Sequence, residues 1–245
     1  MVKQTRNDLK INGNGKTPGG EYSDVTINGM GKVNGDLDCI SFRCNGDSDI
    51  YGNLKAESTK INGSTDITGD LKSGEVKISG YAGIGGGIES KQSKIEGQAA
   101  IGKSFTSDDI VVRGIIKVKG DCNAETFSSH GGFNINGLLN AGKIDVKLYA
   151  PSNAKEIGGE EITVRKGTAF ILKELIKSIF TSLDISNRLS SDTIEGDDIY
   201  LEFTKANVVR GNNIKIGEGC EIGLVEYKNS FHAEENSKVK EHKKI

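Results

Sequence analysis

Side chains able to do chemistry are sparse in this sequence, and their spacing says more than their number. The three histidines are His130, His232 and His242. His130 follows Ser128 and Ser129, an arrangement in which an imidazole could serve as general base toward a hydroxyl. No carboxylate is spaced to orient it, so an exposed loop histidine is the plainer reading, and His232 and His242 fall in or beside a charged C-terminal stretch. Gly83 to Gly87 imitate a phosphate-cradling loop, but Ile84 sits in a repeating apolar column and no helix follows, as a nucleotide site requires. Asp47 and Asp49 suit a turn better than a calcium site, which needs clustered carboxylates. Cys39, Cys44, Cys122 and Cys220 include no Cys-x-x-Cys pair, and three of them stand where an apolar residue is due, so they read as buried thiols. These residues lead to the expectation of no catalytic site, no metal and no cofactor. One constellation is left. Arg43, Lys60, Lys77 and Lys94 recur every 17 residues and would form a cationic column able to meet an anionic surface or polymer. A solvated face eased by Asp24 and Glu75 is the commoner origin of such a row; the column stands as the candidate partner-facing surface.

The elements that must carry this column are written in the same period. Stepping by 17 from Gly29 meets Gly46, Gly63, Gly80, Gly97 and Gly114; from Val33 it meets Ile50, Ile67, Ile84, Ile101 and Val118. Further columns run Leu37, Leu54, Leu71, Ile88, Phe105, Cys122 and Ile27, Cys44, Ile61, Ile78, Ile95, Val112. Apolar residues in register at a fixed period mark a solenoid whose coils bury their faces against one another. Apolar and polar residues alternate within each repeat, so strands present one side inward. Inward positions Ile27, Val33, Cys39 and Cys44 divide the circuit into 6 + 6 + 5 residues, which predicts three short strands and three corners per coil. Glycine after each Ile-x unit is expected to supply a positive φ at a corner. Asn28, Asn45 and Asn62 are expected to form an outer ladder.

Composition narrows the function classes. Of 245 residues 33 are glycine, with only two prolines and no Gly-X-Y period, which excludes collagen and proline-rich disorder. Net charge is −2, without the basic excess of a nucleic-acid-binding domain. Tryptophan is absent, so sugar- or base-stacking platforms lack material. Met1 to Lys10 lack the apolar core of a signal peptide, no run reaches membrane-spanning length, and the expected compartment is the cytoplasm.

The period breaks twice. From Val112 to Ile135, and from Gly114 to Gly137, the step is 23, which places a loop insertion near 124–132 in a β-helix body spanning 8–166. Apolar residues then switch to a 3.6-residue pattern over Thr168 to Asp184, the mark of an amphipathic helix capped at Gly167-Thr168, within an insertion at 167–193. Ile199 to Ile216 and Val208 to Val225 again step by 17, giving further coils over 194–231, and 232–245 is expected as a disordered charged tail.

The units Ile11-Asn12-Gly13, Val25-Thr26-Ile27-Asn28-Gly29, Gly31-Lys32-Val33-Asn34-Gly35-Asp36-Leu37 and Ile61-Asn62-Gly63, sustained in register over most of residues 8–229, resemble the bactofilin family of bacterial polymer-forming cytoskeletal proteins. The stretch from Ile214-Lys215-Ile216-Gly217 to Val225-Glu226-Tyr227 looks like the C-terminal part of longer members. The resemblance implies a right-handed parallel β-helix that assembles end to end into nucleotide-independent cytoplasmic filaments. Such filaments scaffold other cytoplasmic or envelope-associated proteins for cell shape, polarity or motility, reaching the inner face of the membrane through partners. The helix at 168–184 and the extra coils depart from the compact family core. An open solenoid also exposes strand edges that invite self-association. Candidate polymerisation ends are Leu9 and Ile11 at the start and Val225, Tyr227 and Phe231 at the finish. The main partner expected is a second copy, with no nucleic acid and no small-molecule substrate; direct membrane binding is unsupported by Met1 to Lys10. Two alternatives stay open. A β-helix acyltransferase-like enzyme would repeat in strict sixes, 18 per coil, and would want a well-placed histidine; a non-polymerising binding module would stay monomeric.

Overall fold

The 17-residue spacing of the sequence reappears as strand register. A computed structural model describes residues 6–167 and 187–245, and these fall into two compact units, Met1–Gly120 and Asp121–Ile245. Both are all-β parallel solenoids, and the described residues contain no helix. The expected helix at 168–184 lies outside the described residues.

The first unit holds β1 (Leu9–Ile11), β2 (Asn14–Ile27), β3 (Met30–Cys44), β4 (Asp47–Tyr51), β5 (Leu54–Ile61), β6 (Ser64–Ile67), β7 (Leu71–Ile78), β8 (Tyr81–Ile84), β9 (Ile88–Ile95), β10 (Gln98–Ile101), β11 (Phe105–Val112) and β12 (Ile115–Val118). A regular coil is one eight-residue strand followed by one of four, as in β5 and β6. Along them Leu54, Ala56, Thr59, Ile61, Thr65 and Ile67 are buried. The alternation slips between Ala56 and Thr59, so β5 bends there and the coil has three inward-facing sides, as the 6 + 6 + 5 division requires. Leu37 pairs with Leu54, Leu54 with Leu71, Leu71 with Ile88 and Ile88 with Phe105. Each buried aliphatic contributes about 1.5–3 kcal/mol, and stacking it on its equivalent spares the coil from needing a core of its own. The first coil is one residue shorter: Leu9 pairs with Val25 and Ile11 with Ile27, and the step becomes 17 only after an irregularity between Pro18 and Gly20.

The glycine column has a different cause from the expected one. None of Gly29, Gly46, Gly63, Gly80, Gly97 and Gly114 has a positive φ; that conformation is confined to Gly20, Gly35 and Gly219 among the glycines. A Cβ added at Gly46, Gly63, Gly80, Gly97 or Gly114 would instead overlap the carbonyl oxygen of the glycine one coil earlier. Close approach of stacked backbones, not torsional freedom, demands glycine here. The asparagine ladder forms as expected: Asn62 donates to Asn45 at 2.7 Å, and Asn45 to Asn28 and Asn28 to Asn12 at 2.8 Å.

The second unit holds β13 (Cys122–Ser129), β14 (Gly132–Leu148), β15 (Ser152–Lys166), β16 (Leu189–Leu201), β17 (Thr204–Ile216), β18 (Glu221–Ala233) and β19 (Lys238–Lys244). Its first strands correct the expected insertion at 124–132. Cys122 pairs with Leu139, Phe127 with Ile144 and Ser129 with Val146, all steps of 17, so no loop is inserted. The apparent step of 23 joined two different columns: in sequence, 17 residues beyond Val112 lies Ser129, and 17 beyond Val118 lies Ile135. A buried serine in an apolar column hid the register. Coil length then varies. β14 and β15 pair at 18 to 19, as Ile144 with Ile162 and Ile135 with Ala154. Ile157 pairs with Ile194 across a step of 37, so residues 189–193, expected in a helical insertion, lie in β16. The expected 17-residue coils after residue 194 are also revised: Ile199 pairs with Ile214 and Val209 with Val225, steps of 15 and 16. The stretch 232–245, expected as a disordered tail, carries β19, which pairs in parallel with β18 from Glu221–Lys238 to Tyr227–Lys244. Its single apolar residue, Val239, falls on Ile222, too weak a signal to read in a charged stretch.

Candidate functional site

The cationic column is a consequence of register. Arg43 lies beside Lys60, Lys60 beside Lys77 and Lys77 beside Lys94 on adjoining strands, about 4.8 Å apart at parallel-strand spacing. Like charges directly opposite repel, and the column resolves this unequally. At its later end Glu96 accepts Lys94 at 2.7 Å and Lys77 at 3.1 Å, with Arg113 at 3.8 Å. These cations, Lys94 first and then Lys77, hold the Glu96 carboxyl down to about 2. Arg43 and Lys60 have no carboxylate within 4 Å among the described residues, and their strand neighbours are Ser41, Ser58, Asn45 and Asn62. The sequence expectation of relief from Asp24 and Glu75 is replaced by relief from Glu96, on the corner column. The earlier half thus presents two uncompensated cations among hydroxyls and amides, a donor-rich surface suited to carboxylate or phosphate oxygens.

The candidate ends are placed unevenly. Leu9 is half-buried and Ile11 buried on β1, which among the described residues pairs with β2 alone. Val225, expected at the last coil, is fully buried between Val209 and His242, because β19 follows it. Tyr227 and Phe231 are half-buried, and their rings cluster with His242, at 5.5 Å between Tyr227 and Phe231 and 5.0 Å between Phe231 and His242. β19 pairs with β18 alone among the described residues.

Over 240 residues the chain is 45% identical to the uncharacterized protein YhbE of Bacillus subtilis (strain 168), a match covering 97% of this chain and 98% of YhbE. The chain belongs to the YhbE family. A second protein of the same organism, the uncharacterized YhbF, is 39% identical over 110 residues, or 44% of this chain and 42% of YhbF. No family model matches the sequence, and no solved structure matches it.

Other residues weighed for chemistry are dispersed in this YhbE-family chain. His130 packs edge-on to Tyr149 at 6.2 Å. The preceding Ser129 is buried, with its hydroxyl unpartnered in an otherwise apolar column, so it faces the core and not a substrate. Ile84, inside the Gly83 to Gly87 run, is buried. Asp49 pairs with Lys32 at 3.3 Å. All four cysteines are buried and free, and burial pushes the Cys39 and Cys122 thiols up to about 12. Among the described residues no group of three or more His, Cys, Asp or Glu gathers as a metal-ligand set, and no helix is long and apolar enough to cross a membrane.

One feature of the second unit escaped the sequence. An open groove of about 750 Å³ runs over β15 to β18, lined by Glu161, Asp198, Tyr200 and Lys215 among others. Glu161, Asp198, Asn213 and Ser230 stack in register there, with Asn213 donating to Asp198 at 2.8 Å and Ser230 to Asn213 at 3.0 Å. Arg165 and Lys215 approach the Tyr200 ring to 5.7 and 5.1 Å, and its hydroxyl donates to Glu202. That bond and partial burial push the Tyr200 phenol up to about 12. Steps of 37, 15 and 17 between these rows conceal the ladder from any search at one period.

Proposed function

We propose that this chain is a structural scaffold: a right-handed β-solenoid that self-assembles end to end into filaments without nucleotide and positions other proteins for cell shape, polarity or motility. The observation that carries the reading is the pair of one-sided strands. β1 and β19 each have a single strand partner among the described residues, leaving rows of backbone N–H and C=O groups that favour pairing with another chain. Stacked coils hold each strand edge flat, so the edges meet as preformed templates and little ordering entropy is lost on docking. The repeat supplies the subunit and the columns supply the register. The face carrying Arg43 and Lys60 is the part of the surface we assign to partners other than a second copy, which would bring acidic side chains to it.

Negative-stain microscopy and light scattering of the purified chain, with and without ATP or GTP, test the reading. Filaments indifferent to nucleotide are expected. A species that stays monomeric at every concentration would leave a solitary binding module in its place, and acyl transfer lost on His130→Ala would replace both with an enzyme.

A further inference from the structure

The first and the last strand are each part of a coil, and the parts differ. β1 has only three residues and covers β2 from Val25 to Ile27, while Asn14 to Tyr22 pair with β3 alone among the described residues. At the other end β19 covers β18 from Glu221 to Tyr227, while Ser230 to Ala233 pair with β17 alone among the described residues. One strand thus supplies a single side of a coil, and the other supplies the two sides before it.

Register identifies the uncovered side. Leu9 opens the column of Val25 and Phe42, and Ile11 that of Ile27 and Cys44. Steps of 17 take these columns in sequence from Ile110 to Phe127 and from Val112 to Ser129, and they close on Phe231 and Ala233, after Ile214 and Ile216. Burial follows the coverage. Val25, Ile27, Ile214 and Ile216 are at most 2% exposed, whereas Leu9 and Phe231 are half-buried and Ala233 is exposed. Two apolar columns therefore end in an uncovered step, at which β19 stops short. β19 itself reads KVKEHKK, and lysines along an edge strand discourage unspecific pairing, so the apolar surface open to a newcomer is concentrated in the step.

We propose that consecutive copies share one composite coil: β1 of one copy enters the step of the copy before it and pairs in parallel with Ser230 to Ala233, beside β19, which stays in place. Leu9 then stacks on Phe231, Ile11 on Ala233, and Lys10 lies beside His232. The same register lays Gly20, Glu21 and Tyr22 of the incoming copy on His242, Lys243 and Lys244. Gly20 and Tyr22 head the columns of Leu37 and Cys39, which continue in sequence from Phe105 to Cys122 and from Ser107 to Ala124, and His242 and Lys244 follow Val225 and Tyr227. A carboxylate thereby faces a lysine. The occupant is a second copy because β1 supplies the side that β19 lacks, at the strand spacing of about 4.8 Å, and opens the columns that the step leaves bare. The contact joins unlike surfaces, so it repeats without closing and gives the filament a direction. The inference rests on the self-assembly reading and adds to it which strands meet and in which register.

Lys10→Cys and His232→Cys test the joint, because both side chains are exposed and the four native cysteines are buried. Facing residues on adjoining parallel strands, with Cα atoms about 5 Å apart, lie within disulfide reach. Under mild oxidation the variant carrying both substitutions is expected to give a ladder of covalent multimers on a non-reducing gel, while each single variant stays a monomer. Ala233→Glu, at an exposed position, should raise the concentration needed for assembly, read by light scattering, at least about tenfold. Covalent dimers of a single variant mean that like ends meet; they overturn the composite coil and leave self-assembly standing. Filaments that neither cross-link in the double variant nor respond to Ala233→Glu do the same. No assembly by the unaltered chain overturns both readings together.

Discussion

At the scale of residues, stacking explains choices that torsion angles and polarity do not. The glycine column is a set of backbone contacts, and its members are unequal in one testable respect. A Cβ at Gly63 would overlap the Gly46 carbonyl oxygen, whereas one at Gly13, in the first coil, meets nothing within 4 Å. Gly63→Ala is therefore expected to cost about 2 kcal/mol, the scale of forced overpacking. Gly13→Ala should be neutral, or slightly stabilising by restricting the unfolded chain. Urea unfolding of the two variants measures the difference, and equal stabilities would refute the stacking account. Ser129 shows the converse, where residue type misleads. Its buried, unpartnered hydroxyl carries a cost, yet it fills a position that is mostly Ile or Val in the other coils, as at Ile61, Ile78, Ile95 and Val146. A reader following apolar residues alone steps over it and lands on Ile135 in the wrong column.

At the scale of elements, legibility followed the regularity of coil length. In β3 to β11 every step is 17, so columns, corners and the Arg43 to Lys94 row could all be drawn from the sequence. In β14 to β18 the steps run from 15 to 19, with one of 37. Ile157, Ile162 and Val164 alternate visibly, but only the pairing shows which columns they continue. β19 was illegible for an energetic reason: its strand is held by backbone pairing and by Glu226, with almost no apolar burial to mark it. The same fact sets its dynamics. Strands with little buried apolar surface open first, so the amides of β19 should exchange at least about tenfold faster than those of β17, which buries Ala206, Val209, Ile214 and Ile216. Lys243→Ala should widen the gap by releasing Glu226. Hydrogen exchange resolved by strand gives the answer, and protection in β19 equal to that of β17 would contradict the weak hold on this strand.

At the scale of the whole molecule, the balanced charge of −2 conceals carboxylates that are individually far from neutral surroundings. Lys94 and Lys77 hold Glu96 down to about 2; Lys55, then Arg6, lower Asp38; Lys243, then Arg210, lower Glu226. Each of these groups binds a proton less readily in the folded chain than in the unfolded one. Its stabilising contribution is therefore complete above the ordinary carboxylate range and is lost as pH falls through the folded value. Asp66 has the opposite sign, because burial and then Asp49 raise it, so acidification relieves its strain. With three groups against one, stability should fall on going from about pH 6 to about pH 3. Glu226 ties this loss to the C-terminal coil, since protonating it frees Lys243, while Glu96 and Asp38 place the other losses in the first unit. The lysine partners Lys94, Lys77, Lys55 and Lys243 are solvent-exposed, so salt should flatten the dependence by screening them, least at the buried Glu226. Thermal unfolding at the two pH values, at low and high salt, measures both effects, and a midpoint that holds steady or rises on acidification would mean that the lysine rows, relieved of no partner they need, govern the folded state in place of the carboxylates between them.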